Sequence, residues 1–210
     1  MTAEVVARAA APAGVSLGDA TVIPRLGLRR DHHRPAPRRP PRRGAGRLRS
    51  RRRASTTAST TAIGYLSIAT KNHGGSTAIS AGPATLAMAL LEAATTVAAG
   101  EGPTVVAIAE EPLPPVLAES GGSFDGLAVA LIVEAWRGQG IHARLSHTDP
   151  SGCEALPRLP PKLAANPCAR AFAAAAALGS GRARQLALEP AAHGRAWVLE
   201  ILDEGATKAR

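Results

Sequence analysis

The chain has 210 residues, a formal net charge of +9, 45% apolar residues and only 2% aromatics, so it holds one ordinary domain whose core must be built from Ala, Val, Leu and Ile. No apolar run reaches the ~18–20 residues of a membrane span. Met1 to Ala11 lacks the basic-then-apolar order of a secretory signal, and two cysteines, Cys153 and Cys168, make no disulfide scaffold, which leaves a cytoplasmic protein with reduced thiols as the expectation.

The charge is unevenly spread. Residues 25–53 hold 13 Arg, no Lys and one acid, Asp31, a local charge of +12, while the rest of the chain sums to −3. In chain order, residues 3–11 (AEVVARAAA) read as a helix that Gly14 can end, and Ala20 to Ile23 as a short strand. Residues 25–61 are then Arg, Pro, Gly and polar low-complexity sequence with almost nothing to bury. Such a segment cannot offset its ordering entropy and is expected to be disordered. Ile63 to Ala69 reads as a turn of helix, KNHGG (71–75) as a loop, and Thr77 to Ser80 as a short extended piece. Pro83 suits the first turn of a helix, because its missing N–H is harmless there. Ala84 to Ala99 is helical and apolar nearly all round, which predicts burial on most faces, with Leu86, Leu90 and Leu91 supplying the apolar area.

Thr104 to Ala109 (TVVAIA) is a continuous apolar run, as expected of a strand covered on both faces. Phe124 to Glu134 and Ile141 to Thr148 follow as strands, and 149–162 as a Pro-rich loop. Asn166-Pro167 opens a helix to Leu178 that Gly179 ends. Gln185 to Glu189 and Ala196 to Leu202 are two closing strands. The order predicts an α/β layer fold, with a mixed sheet around a buried central helix.

Few motifs carry chemistry by themselves. Thirteen arginines in 25–53 could neutralise phosphates and bind nucleic acid, but no aromatics are interleaved for base stacking, so nucleic acid is not the expected partner. Ala78-Ile79-Ser80-Ala81-Gly82 lacks the first Gly of the Gly-x-Ser-x-Gly nucleophile elbow. With Asp125 and one of His142, His147 or His193 it would give the residue order of a Ser80 hydrolase. His142, His147, Cys153 and Cys168 lack the paired spacing of a zinc site, and no phosphate-binding glycine loop occurs, so neither metal nor cofactor is expected.

Several pieces fall in a recognisable order. They are Gly64-Tyr65-x-Ser67-Ile68-Ala69, the turn ending in Ala81-Gly82, the Ala-rich helix with LLEAA, the strand that runs into Glu111-Pro112-Leu113-Pro114, FDGLAVALIVE, NPCARAFAAAAAL and RAWVLEI. Together they resemble the β-ketoacyl synthase-like N-terminal domain, and more closely its short chain-length-factor members. The resemblance implies a partial thiolase-like half-domain over 62–210, preceded by a helix and strand remnant (1–24) and the Arg/Pro segment (25–61). It also places Ala81, or alternatively Ser80, where a condensing enzyme carries its nucleophilic Cys at the tip of a strand–helix turn. Gly64, Tyr65, Ser67 and Gly82 are the other family-motif residues. A non-catalytic subunit in fatty-acid or polyketide-type chain elongation is implied, partnered by an active ketosynthase and an acyl carrier protein.

The family carries a Phe-x-Asn-Ser-Val-His-Asn segment before the Gly-Tyr pair, where this chain has Ser55-Thr-Thr-Ala-Ser-Thr-Thr61. GC-rich codons for Phe-Asn-Asn-Ser-Val-His-Asn, read one base later, encode that same Ser-Thr-Thr-Ala-Ser-Thr-Thr. Residues 25–61 are therefore read as translated out of frame, with the frame restored near Ala62.

Overall fold

The computed structural model of the protein describes residues 2–18, 20–24, 64, 67–69, 71–112, 124–138, 141–182 and 184–202. The expectation of disorder and the frame-shift reading for 25–61 lie outside these residues.

Helix α1 (Thr2–Ala13) leads through Gly14, at φ +65°, into strand β1 (Thr21–Pro24). β1 pairs in parallel with β2 (Thr104–Glu110), and β2 pairs antiparallel with β3 (Leu127–Val133), giving a mixed sheet of order β1-β2-β3. A second sheet is antiparallel throughout. Its central strand β6 (Ala196–Leu202) is flanked by β4 (His142–Thr148) and β5 (Arg184–Ala187). The division into two sheets was not evident from the run of strands along the chain.

Helices separate the sheets. α2 (Thr85–Ala98) and α4 (Ala169–Ser180), the latter preceded by the short α3 (Pro161–Ala164), pack between them, and α1 covers the outer face of the first sheet. The apolar run of β2 shows why. Val105 and Ala107 point to the α1 side, where they join Val6 and Val22. Val106 and Ile108 point the other way and join Leu86, Ala89 and Ala174. A strand buried on both faces cannot alternate with polar residues, and this one does not. On the outer face of the second sheet Arg144 and Glu200 pair at 3.5 Å, on the same side of β6 as the buried Ala196 and Val198.

α2 is the buried central helix, but its apolar area is distributed differently from expectation. Thr85, Leu86, Ala87, Ala89 and Ala93 are buried, Leu90 is half-buried and Leu91 is 40% exposed. Leu86 and the alanines face the sheets, where small side chains let the helix approach the strands closely, and Leu91 is left at the surface. α4 also runs past Gly179. The left-handed residue that ends it is Gly181, at φ +63°, whose N–H reaches the carbonyl of Leu178. Glycine's freedom is required only where φ turns positive, so Gly179 stays helical. No strand forms at 77–80. That stretch instead hydrogen-bonds along β1, from Thr77 N–H to Val22 and from Ile79 N–H to Pro24. Among the described residues no helix is long and apolar enough to cross a membrane.

Candidate functional site

The turn that links β1's flank to α2 is built around Gly82 and Thr85. Ala81 sits at φ −133°, ψ 33°, and Gly82 takes φ +60°, a conformation that costs an L-residue strain. A 3-10 turn over Gly82–Ala84 follows, with Pro83 in its first positions, and then α2. Thr85 locks the turn. Its hydroxyl donates to the Gly82 carbonyl at 2.7 Å and accepts from the Ala81 N–H at 2.9 Å. Thr85 is 2% exposed, so both bonds are shielded from water. The Ala81 amide is thereby committed to the turn.

A cavity of about 490 Å³ opens beside this turn. Pro83 and Leu86 form one wall, Ile108 of β2 and Leu188 the floor, and the start of α4 the opposite wall, with Asn166 and Cys168. The described lining contains no His, Asp or Glu, and so no general base.

The α4 wall is held by Asn166, a buried polar side chain at 3% exposure. Its Nδ2 donates to the Asp125 carbonyl at 2.8 Å and to the Glu110 carbonyl at 3.3 Å, while its Oδ1 accepts the Cys168 N–H at 2.7 Å. One amide thus ties the end of β2, the approach to β3 and the first turn of α4 together. The Asn166-Pro167 pair does open the helix, but as a side-chain turn one step earlier, since the N-cap itself is Cys168. Arg170 reaches along the same wall to donate to the Ala187 carbonyl at 2.8 Å.

The sequence-derived candidates sort as follows. Ala81 and Ser80 are exposed at the turn. Gly64 and Ser67 are half-buried, and Tyr65 lies outside the described residues. Asp125 is exposed on the loop before β3. His142 stacks on Trp136 with ring centroids 5.1 Å apart, and His147 lies against Trp197; neither lines the cavity at Ser80's turn. Cys153 is half-buried, and its thiol is pushed up, first by burial and then by the Asp149 carboxylate. Cys168, far from the turn in sequence, is 1% exposed in the wall of the cavity next to it. Neither cysteine is in a disulfide. Among the described residues no group of three or more His, Cys, Asp or Glu could hold a metal. Sequence reasoning missed the Asn166 clamp and the meeting of 82–86 with 166–170. The Asn166-Pro167 pair is the signal the sequence offers there, and by itself it indicates only a helix start.

The family model described as "Beta-ketoacyl synthase, N-terminal domain" matches residues 55–197, well over half of the chain. The chain belongs to the β-ketoacyl synthase N-terminal domain family. Within that family its architecture is a partial ketosynthase-like half-domain, a mixed sheet with a buried central helix. The search of curated proteins found no match. A solved structure of a ketosynthase (ApeO) in complex with its chain length factor (ApeC) from Xenorhabdus doucetiae is similar at 19% identity and a TM-score of 0.45, over 72% of this chain. The ketosynthase-like chain described here spans 57% of that chain.

Proposed function

We propose that this ketosynthase-like chain is a non-catalytic subunit of chain-length-factor type, working beside an active ketosynthase in fatty-acid or polyketide-type acyl elongation, with the acyl group delivered by an acyl carrier protein. The observation that carries the reading is the turn at Ala81. A condensing enzyme needs a thiolate at a helix start and backbone N–H groups turned to the developing oxyanion. Here the side chain is a methyl group, and the Ala81 N–H is already bonded to Thr85 Oγ1. The cavity beside the turn is walled mainly by Pro83, Leu86, Ile108 and Leu188, surfaces suited to an alkyl chain. Acyl capture also needs a base to activate a hydroxyl, and among the described residues no His or carboxylate lines that cavity to serve Ser80.

The test incubates the full chain with acyl thioesters and reads the intact mass, then co-expresses it with an active ketosynthase. The expected results are no acyl adduct, retention of the ketosynthase through affinity purification, and a shift in product chain length when Leu86→Phe narrows the cavity. A specific adduct on Ser80 would overturn the reading in favour of an acyl-transferring or hydrolytic enzyme. Salt-sensitive retention on DNA that disappears when residues 25–53 are deleted would favour the basic nucleic-acid binder.

A further inference from the structure

A second cavity, of about 600 Å³, opens further along α2 and shares no lining residue with the one beside the Ala81 turn. Five elements each put one leucine into its wall: Leu90 from α2, Leu131 from β3, Leu145 from β4, Leu178 from α4 and Leu199 from β6. The first four are only half-buried. Leu90 is less buried than its place in an apolar helix predicts, because it borders this space. The volume falls in the range of small-molecule sites.

The mouth is formed by the segment 134–137 with Ile141 and His142. Trp136 and Ile141 are 47% and 48% exposed, and the Trp136 ring stacks on the His142 imidazole at 5.1 Å and 17°. His142 Nδ1 is shielded from water and has no hydrogen-bond partner among the described residues. No other described side chain of this wall has a buried polar atom in want of a partner. A buried polar atom is normally paired, so an orphan calls for one. A buried water would need two to four polar partners, and leucine side chains supply none.

We propose that this cavity binds a neutral single-chain amphiphile, an unbranched aliphatic alcohol, with its chain among the leucines and its hydroxyl on His142 Nδ1. The chain is aliphatic because the wall is leucine, and filling the space restores contacts that the half-buried side chains lack. The head is a hydroxyl because it both donates and accepts, so it pairs with Nδ1 in either tautomer of the ring. A charged head would have to leave water for an apolar wall. The mouth offers it no compensation, since Glu134 and Arg137 are both exposed and opposite in sign. Trp136 is open to solvent on one side, so the ring pair is free to turn and bring Nδ1 into the cavity. The inference rests on this cavity alone, and its failure would leave the reading of the Ala81 turn untouched.

The experiment uses the full chain, with 1-nonanol as the probe. Calorimetry is expected to show saturable binding at one site per chain. In Trp197→Phe, whose remaining tryptophan is Trp136, the same titration should shift the emission. His142→Phe keeps a ring against Trp136 and removes the nitrogen, so affinity should fall about fivefold, the worth of one net hydrogen bond. Nonanoate and nonylammonium should each bind at least about tenfold more weakly than the alcohol. Ala94→Phe, at an exposed position of the wall, should block binding with an unchanged circular-dichroism spectrum. A nonanol carrying a diazirine on its chain maps the site without any variant, and is expected to label the stretch 131–145. Absence of saturable binding overturns the proposal. So do tighter binding of either charged probe, an affinity that His142→Phe leaves unmoved, and photolabelling confined to residues outside this wall.

Discussion

Replacing Asn166 by Ala tests the clamp that shapes the cavity wall. The side chain is 3% exposed and makes three hydrogen bonds, two short (2.7 and 2.8 Å) and one longer at 3.3 Å. The short bond to the Asp125 carbonyl is worth about 1 kcal/mol net, and taking the Asn166 acceptor away from the buried Cys168 N–H costs roughly 1–3 kcal/mol. The carbonyls of Glu110 and Asp125 lose less, because an acceptor with two lone pairs tolerates under-satisfaction better than an orphaned donor. The sum is about 2–4 kcal/mol. For a protein of this size that lowers the melting temperature by roughly 4–16 °C. Urea unfolding followed by circular dichroism measures it directly. A second reading comes from amide exchange. The Cys168 N–H, protected through Asn166 Oδ1, should exchange faster in the variant, while Leu199 at the centre of the second sheet should not. A loss below about 0.5 kcal/mol, or unchanged protection at Cys168, would refute the argument that one amide holds β2, the approach to β3 and α4 together.

Three further outcomes follow from the packing. Leu86→Ala should cost about 2–5 kcal/mol in denaturant unfolding, because Leu86 is 6% exposed, whereas Leu91→Ala at 40% exposure should stay within about 0.5 kcal/mol; equal losses would contradict the orientation of α2. Gly82→Ala meets no atom within 4 Å of the added methyl, so its cost of roughly 1–2 kcal/mol should come from the backbone at φ +60° alone. Iodoacetamide should alkylate Cys153 slowly at neutral pH and faster as pH rises through its raised pKa, and Asp149→Asn should speed the neutral reaction; a rate already at its plateau below pH 8 would show that burial and Asp149 do not hold the thiol protonated.

Much of this architecture could be read from the residues because it is local. The apolar run at 104–109, the Ala-rich stretch ending at Ala99 and the closing strand at 196–202 each carry a periodicity that decides their type, and the structure places them within a residue or two. The departures have specific causes. Leu91 was expected inside because it is large and apolar, yet close packing of α2 on β2 favours the alanines. Glycine is common at helix ends, which points to Gly179, yet of the two glycines there Gly181 is the one with the left-handed φ. The cavity depends on a contact between 82–86 and 166–170, some eighty residues apart in the chain, and no periodicity encodes such a meeting. Asn166 has the same problem in miniature, since its partners at Glu110 and Asp125 are chosen by the tertiary fold.

The parallel pairing of β1 with β2 also bears on how the chain reaches its fold. Thr21 lies beside Thr104, so every residue between them must be synthesised before the first strand finds its neighbour. The Val6 and Val22 side chains therefore wait for Val105 and Ala107 to emerge, and α1 stays uncovered for most of translation. Contacts of such long sequence separation slow folding and leave apolar surface open meanwhile. At equilibrium the same span is nearly indifferent to its own length. Closing a loop costs only about 0.6 kcal/mol more for each doubling, so halving the intervening chain would gain no more than that. The β1–β2 ladder can accordingly hold while the sequence that links its strands drifts in length and composition.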